Sequence, residues 1–166
     1  MVSAQSIEVI KRNGRKKEVL DISKIHDMVE HACEDIKGVS SSQVEMNSGL
    51  QFYNNITTDE IQQIITKSAA DLISLDTPNY TYVAARLLLF SLRKNLFHKL
   101  WDHPHFYDQV KRLVDLKLYD SLIMRDYDRR DFDRMEYWLK HDRDYDFTYA
   151  GLRQVIDKYL VQDRST

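Results

Sequence analysis

Lys11 and Arg12 are adjacent cations at the end of a short apolar run, Val9-Ile10, and they lead directly into Asn13-Gly14, a dipeptide that favours a tight turn. Arg15, Lys16 and Lys17 complete the only local concentration of positive charge in the chain. The chemistry that suits this pattern is polyphosphate binding. Lysine and arginine neutralise phosphate oxygens, and a turn containing Gly14 lets backbone N–H groups approach them. A helix opening downstream, in Leu20-Asp21-Ile22-Ser23-Lys24-Ile25, adds the positive end of its dipole. The same residues also fit a solvated hairpin tip whose charges serve solubility. Binding to nucleic acid is disfavoured, because the net charge is −2 and neither half of the chain carries a cationic excess.

Other residues with chemical potential are weaker. Thr57 and Glu60 have the three-residue spacing of a capping box, which leaves the Thr58 hydroxyl at a helix start where a ligand would meet it. Arg86 and Arg93 share a helix face seven residues apart, with Lys94 beside them, and read as surface charge or ion pairs. His103 and His105 flank Pro104, and His141 lies next to Asp142, but no spacing matches a metal motif, so no metal site is expected. The stretch from Asp126 to Asp146 interleaves Asp with Arg and reads as a network of paired charges rather than a calcium loop. Cys33 is the only cysteine, which excludes an internal disulfide and any two-thiol redox couple; on an apolar helix face it reads as a buried, inert thiol. No nucleophile elbow or P-loop is present, and no catalytic residue is expected.

The elements that must position these residues follow from periodicity. In 166 residues, with only 4 Gly and 2 Pro, helix should dominate. A hairpin is predicted with its tip near residues 13–17 and Val19-Leu20 returning. Ile25, Met28, Val29, Ala32, Cys33 and Ile36 form one apolar stripe of a first helix, capped by Asp21 or Ser23 and ended by Gly38. A second helix is expected over about 41–53, and a third from Thr57 with Ile61, Ile64, Ile65, Ala69, Leu72 and Ile73 inward. A fourth is expected from about Pro78 to Leu96 with Thr77 as N-cap; Val83, Leu87, Phe90 and Leu92 are its core candidates. Asp102-His103-Pro104 breaks the pattern, and three further helices are predicted near 105–117, 129–141 and 148–161, the last with Tyr149, Leu152, Val155, Ile156, Tyr159 and Leu160 inward. No apolar run reaches the roughly 20 residues of a membrane span, and no signal-peptide pattern is present, so the expected compartment is cytoplasmic.

Taken in order, Val9-Ile10-Lys11-Arg12-Asn13-Gly14, Leu20 to His26, Thr57-Thr58-Asp59-Glu60-Ile61 and the run from Tyr82 to Lys94 resemble an ATP-cone, the nucleotide-sensing domain of ribonucleotide reductase large subunits. The specific resemblance is to the N-terminal region of class I (class Ia-like) large, or alpha, subunits. Tyr137 to Tyr149, with His141-Asp142-Arg143-Asp144, and Lys158 to Gln162 resemble the helical lead-in before that enzyme's catalytic barrel. The implied fold is mainly α: a small β-hairpin or sheet capping a four-helix bundle over residues 1–98, followed by a helical lead-in over 99–166. The resemblance implies ATP or dATP as allosteric effector, with magnesium and no redox cofactor. It implies that Lys11, Arg12 and Lys94 meet the phosphates, that Gly14 permits the close turn, that Glu18, Lys24 and Ile25 lie near phosphate, ribose or base, and that Thr58 and Gln62 face the ligand.

This chain departs from the family pattern in three places. The usual Lys-Arg-Asp-Gly is Lys-Arg-Asn-Gly, the Gly14–Asp21 segment is one residue longer, and Gln62 and Ser91 stand where histidines are expected. The resemblance also implies that the active-site cysteines and radical-bearing barrel lie outside these residues, so this chain alone is not expected to reduce ribonucleotides. The sequence is read either as one piece of a divided large subunit or as a fragment of a longer one. The expected partners are the catalytic remainder of the large subunit and, through the assembled complex, the radical-generating small subunit. The alternative is a structural assembly module whose cone no longer senses nucleotide.

Overall fold

The structure, a computed structural model, describes residues 7–11, 14 and 16–161. Arg12, Asn13 and Arg15 of the basic turn lie outside the described residues, as does Gln162.

The hairpin forms as expected. β1 (Glu8–Ile10) pairs antiparallel with β2 (Lys17–Val19), Val9 opposite Glu18. At the tip the Lys11 N–H donates to the Lys16 carbonyl at 2.9 Å and the Gly14 N–H to the Lys11 carbonyl at 2.8 Å. Gly14 takes a φ of +66°, a left-handed conformation that glycine adopts without cost. A third strand, β3 (Ile56–Thr57), runs parallel to β1 on its other edge, giving the order β2-β1-β3. This strand was not anticipated: two residues are too few to show a period of two. It is docked by Asn54 and Asn55, the first accepting from the Glu8 N–H at 2.9 Å and the second donating its own N–H to the Glu8 carbonyl at 2.8 Å.

Four helices follow beneath this sheet. α1 (Ile22–Cys33) starts at Asp21, whose side chain accepts from the Ser23 N–H. α2 spans Ser41–Gly49, four residues short of the expected end. α3 (Thr58–Asp71) carries the full capping box between Thr57 and Glu60, and α4 spans Tyr80–Phe97. Their apolar stripes converge on one core that includes Val29, Ala32, Val44, Ile56, Ile65, Val83, Leu87 and Phe90. Each large aliphatic or aromatic side chain removed from water here stabilises by roughly 1.5–3 kcal/mol. Tyr80 is also buried, and its hydroxyl is satisfied by donating to Gln43 Oε1 at 2.5 Å and accepting from the Ser40 N–H at 2.9 Å.

Several expected details differ. Gly38 does not end α1; the helix stops at Cys33, Asp35 turns left-handed (φ 60°), and Arg86 from α4 reaches the freed carbonyls of Ala32 and Glu34. Thr77 does not cap α4. Its hydroxyl donates to the Leu72 carbonyl at 2.7 Å and so closes α3, while Pro78 and Asn79 form the turn ahead of Tyr80. Ile73 was placed in the core but is largely exposed, because α3 has already ended at Asp71.

Beyond α4, α5 (Phe106–Asp115) packs on α7 (Arg129–Trp138), with a short α6 (Leu122–Asp126) between them. Phe132 is 1% exposed between Phe106 and Tyr107. A 3₁₀ turn (His141–Asp146) and α8 (Tyr149–Gln154) then return to α4. The expected last helix continues only as one π-helical turn, Val155–Tyr159, and Tyr159 and Leu160 are exposed rather than inward.

Candidate functional site

A cleft of about 460 Å³ opens between the sheet, α1 and the start of α3. Its floor is apolar: Val9 from β1, Ile25 and Met28 from α1, and Ile61 from α3, all buried. Its rim is charged. Lys11 enters from the hairpin, Glu18 from β2, Asp21 and Lys24 from the start of α1, and Lys94 from α4. Thr58, the first residue of α3, brings that helix's N-terminal end to the same cleft, and Gln62 lies one turn further on.

Four of the charges on this rim are already paired with one another, and the fifth, Lys94, has a backbone partner. Lys11 makes an ion pair with Glu18, and this hydrogen bond is the main reason the Glu18 carboxyl is held below the usual glutamate range. Lys24 lies 3.3 Å from Asp21, whose pKa is lowered first by the Ser23 hydroxyl and then by Lys24. Lys94 Nζ donates to the His98 carbonyl at 3.3 Å. Glu60, held below its usual range by the Thr57 N–H and hydroxyl, also accepts from Tyr53 and locks the entry to α3. The cleft thus presents three ammonium groups held by partners that are weaker anions than a triphosphate, or neutral, above an apolar floor.

Of the residues singled out from sequence, Lys11, Glu18, Lys24, Ile25, Thr58, Gln62 and Lys94 all line this one cleft. Gly14 does not line it; it forms the hairpin turn beside it. Arg12 lies outside the described residues. Gln62 is 7% exposed, and its side-chain amide donates to the Leu87 carbonyl at 2.9 Å, tying α3 to α4 one helical turn before Ser91. Val9, Val19, Leu20, Asp21, Met28, Ile61 and Leu100 line the cleft without having been singled out as site residues. Met28 and Ile61 carried a signal, the apolar stripes of their helices, but such a stripe does not separate core from ligand floor. Leu100 carried none.

Leu100 comes from the segment after α4, so residues on both sides of position 98 build the cleft. The next residue, Trp101, packs edge-on against His31 and Phe90, with ring centroids 4.4 and 4.8 Å away. Phe90 in turn meets Tyr145 of the 3₁₀ turn at 6.3 Å. Arg93, read from sequence as surface charge or an ion pair, is the second of these: it is 5% exposed and donates to Asp144 at 2.8 Å.

A small three-stranded sheet over four helices, with a lysine-rimmed cleft between the two, defines a capped helical domain. Its residues 7–95 match the family profile described as the ATP cone domain, and the chain belongs to that family. Along 96% of its length it is also 46% identical to the ribonucleoside-diphosphate reductase subunit alpha of Buchnera aphidicola, subspecies Acyrthosiphon pisum, of which it covers 21%. It is 43% identical to ribonucleoside-diphosphate reductase 1 subunit alpha of Escherichia coli K12, over 98% of this chain and 21% of that protein. Against the Helicobacter pylori 26695 subunit alpha the identity is 37%, over 95% and 19%. The chain therefore spans about a fifth of the length of these relatives. No helix among its described residues is long and apolar enough to cross a membrane.

Proposed function

We propose that this chain is the nucleotide-sensing N-terminal region of a ribonucleoside-diphosphate reductase alpha subunit, and that it binds ATP or dATP with magnesium in the cleft beneath the hairpin. The observation that carries the reading is the convergence of Lys11, Lys24 and Lys94, from three different elements, around one apolar-floored cleft at the N-terminus of α3. The triphosphate would meet those ammonium groups, with Arg12 as a further phosphate contact by the family resemblance and Gly14 permitting the close turn. The base and ribose would lie over Ile25, near Glu18, Thr58 and Gln62. A volume of about 460 Å³ falls within the range of small-molecule sites.

Sensing requires that the ligand prefer one of two arrangements. Leu100 in the cleft wall and Trp101 in the His31–Phe90–Tyr145 cluster give a physical route by which filling the cleft would bias residues 141–146. The partners in this reading are the catalytic remainder of the alpha subunit, through a surface that includes the exposed Tyr137, Trp138, Tyr159 and Val161, and the radical-generating subunit through the assembled complex. Deoxyribonucleotide synthesis would be carried out by that assembly in the cytoplasm, with no catalytic residue in this chain. The proposed boundary lies near residue 98, between the cone and the helical lead-in that continues toward the catalytic barrel.

A second reading is an assembly module that retains the fold but no longer senses nucleotide. It is favoured by Gln62, which is committed to the Leu87 carbonyl, and by Ser91 one turn beyond. Calorimetric titration of the folded protein with Mg-ATP and Mg-dATP separates the two. One-to-one binding supports the sensor, and the affinity ratio identifies the preferred effector. No heat from a chain shown to be folded leaves assembly as the function.

A further inference from the structure

A second cavity, of about 270 Å³, lies on the far side of α4 from the nucleotide cleft, between α4, the 103–109 segment, α7 and the 3₁₀ turn. Three residues meet in its wall, His103 from one segment and Glu136 and His141 from another. His103 and His141 stack with ring centroids 3.3 Å apart and planes 28° off parallel, and Glu136 Oε1 lies 3.8 Å from His141 Nε2. One donor atom from each of the three lies within 4.8 Å of the others. We propose that His103, Glu136 and His141 form a binding site for a borderline divalent transition-metal ion of the zinc class.

The first support is an unmet demand. His103 Nδ1 and His141 Nε2 are both buried, and neither has a hydrogen-bond partner. A buried ring nitrogen left without a partner is costly, and native folds rarely tolerate two side by side. A metal ion would satisfy both lone pairs at once. The second support is how the carboxylate is held. Glu136 Oε2 already accepts from the Phe106 N–H at 2.7 Å at the start of α5, which orients the group and leaves Oε1 toward the imidazoles. The third is charge. Arg93, the cation on this cavity's wall, is neutralised by Asp144 at 2.8 Å, so it does not set a net positive field against an incoming cation.

Two imidazole nitrogens and one carboxylate oxygen suit zinc, cobalt or nickel. Calcium and magnesium favour all-oxygen shells, and copper(I) favours sulfur. Three protein donors leave a fourth position for water or for a group from a partner. The mechanical consequence is a staple. The described residues beyond α4 bury only Val110, Phe132 and Leu152 fully, a thin core, and the ion would tie the start of α5, the end of α7 and the 3₁₀ turn together. The proposal is independent of whether the nucleotide cleft is functional.

The test uses the full, untagged chain titrated with Zn²⁺ by calorimetry and with Co²⁺ by absorption. The expected result is one ion per chain, cobalt d–d bands of four-coordinate intensity, and a rise in melting temperature with Zn²⁺. His103→Ala and Glu136→Gln should each weaken binding by at least about tenfold. His26→Ala and His98→Ala, at exposed histidines elsewhere, should leave it unchanged. If His103→Ala fails to fold, Glu136→Gln carries the test, since it keeps the side-chain oxygen that accepts from the Phe106 N–H. The proposal is overturned if the wild-type chain takes up no stoichiometric ion, or if affinity survives in His103→Ala and Glu136→Gln.

Discussion

Replacing Lys11 with alanine tests the phosphate assignment in a way that the structure makes quantitative. Lys11 and Glu18 keep 36% and 31% of their side-chain surface exposed, so their interaction lies between the bulk-water and protein-surface limits. In the free protein Lys11 already holds Glu18, so a phosphate exchanges one anionic partner for a stronger one and gains only the difference. Lys11→Ala should therefore weaken ATP binding by about 1–2 kcal/mol, roughly 5- to 30-fold. In a Glu18→Gln background the exchange is absent and Lys11 meets the phosphate alone. There the same substitution should cost more, about 2–3 kcal/mol, so the double-mutant cycle has a defined sign. The assay is calorimetric titration with Mg-ATP for the four proteins at fixed low salt, with circular dichroism to confirm the fold. Unchanged affinity on removing Lys11 in both backgrounds would refute the phosphate role. An equal penalty in both would refute the argument that Glu18 is the displaced partner.

Three other outcomes follow from the geometry. Asp144→Asn leaves Arg93 buried without its anion; a fully buried break costs ~3–5 kcal/mol, and with the Asp144 side chain 37% exposed about 2 kcal/mol is expected, lowering the melting temperature by roughly 4–8 °C. An unshifted melt would show that the pair does not hold the 3₁₀ turn to α4. His26 is held above the ordinary histidine pKa, mainly by Glu45 at 2.9 Å and further by Glu30 and Asp27, so its contribution is fully present below pH ~6.5 and is lost as pH rises through the raised value. A proton-NMR titration should place its midpoint above 6.5, and His26→Gln should flatten the fall in melting temperature across that window. Burial pushes the Cys33 thiol up to about 11, so at pH 8 the folded chain should react with a disulfide reagent about two orders of magnitude more slowly than the unfolded chain; equal rates would place Cys33 in an open environment.

Much of this was legible in the chain because it depends on local rules. The turn at Asn13-Gly14, the Asp21 cap, the Thr57–Glu60 capping box and the stripe Ile25-Met28-Val29-Ala32 are set by residues within seven positions of one another. The structure forms the cap, the box and the stripe where the spacing puts them. The candidate site was legible through resemblance rather than through periodicity, since nothing local says that Lys11, Lys24 and Lys94 share a cleft. Where reading failed, a competing partner had intervened. Arg86, 52 positions away, reaches the Glu34 carbonyl at the end of α1 before Gly38, and Thr77 turns back to the nearby Leu72 carbonyl to close α3 instead of opening α4.

The amino-acid sequence by itself determined that this is a mainly helical chain with a basic hairpin at its start, a single cysteine and the succession of motifs of an ATP-cone. Those properties reside in spacing and composition. Only the tertiary structure decided that β3 would join β1, that Leu100 would wall the nucleotide cleft, that Arg93 would be buried against Asp144, and that His103, Glu136 and His141 would meet. Each of these brings together residues at least 33 positions apart, and pattern within a window carries no information about which faces will come together.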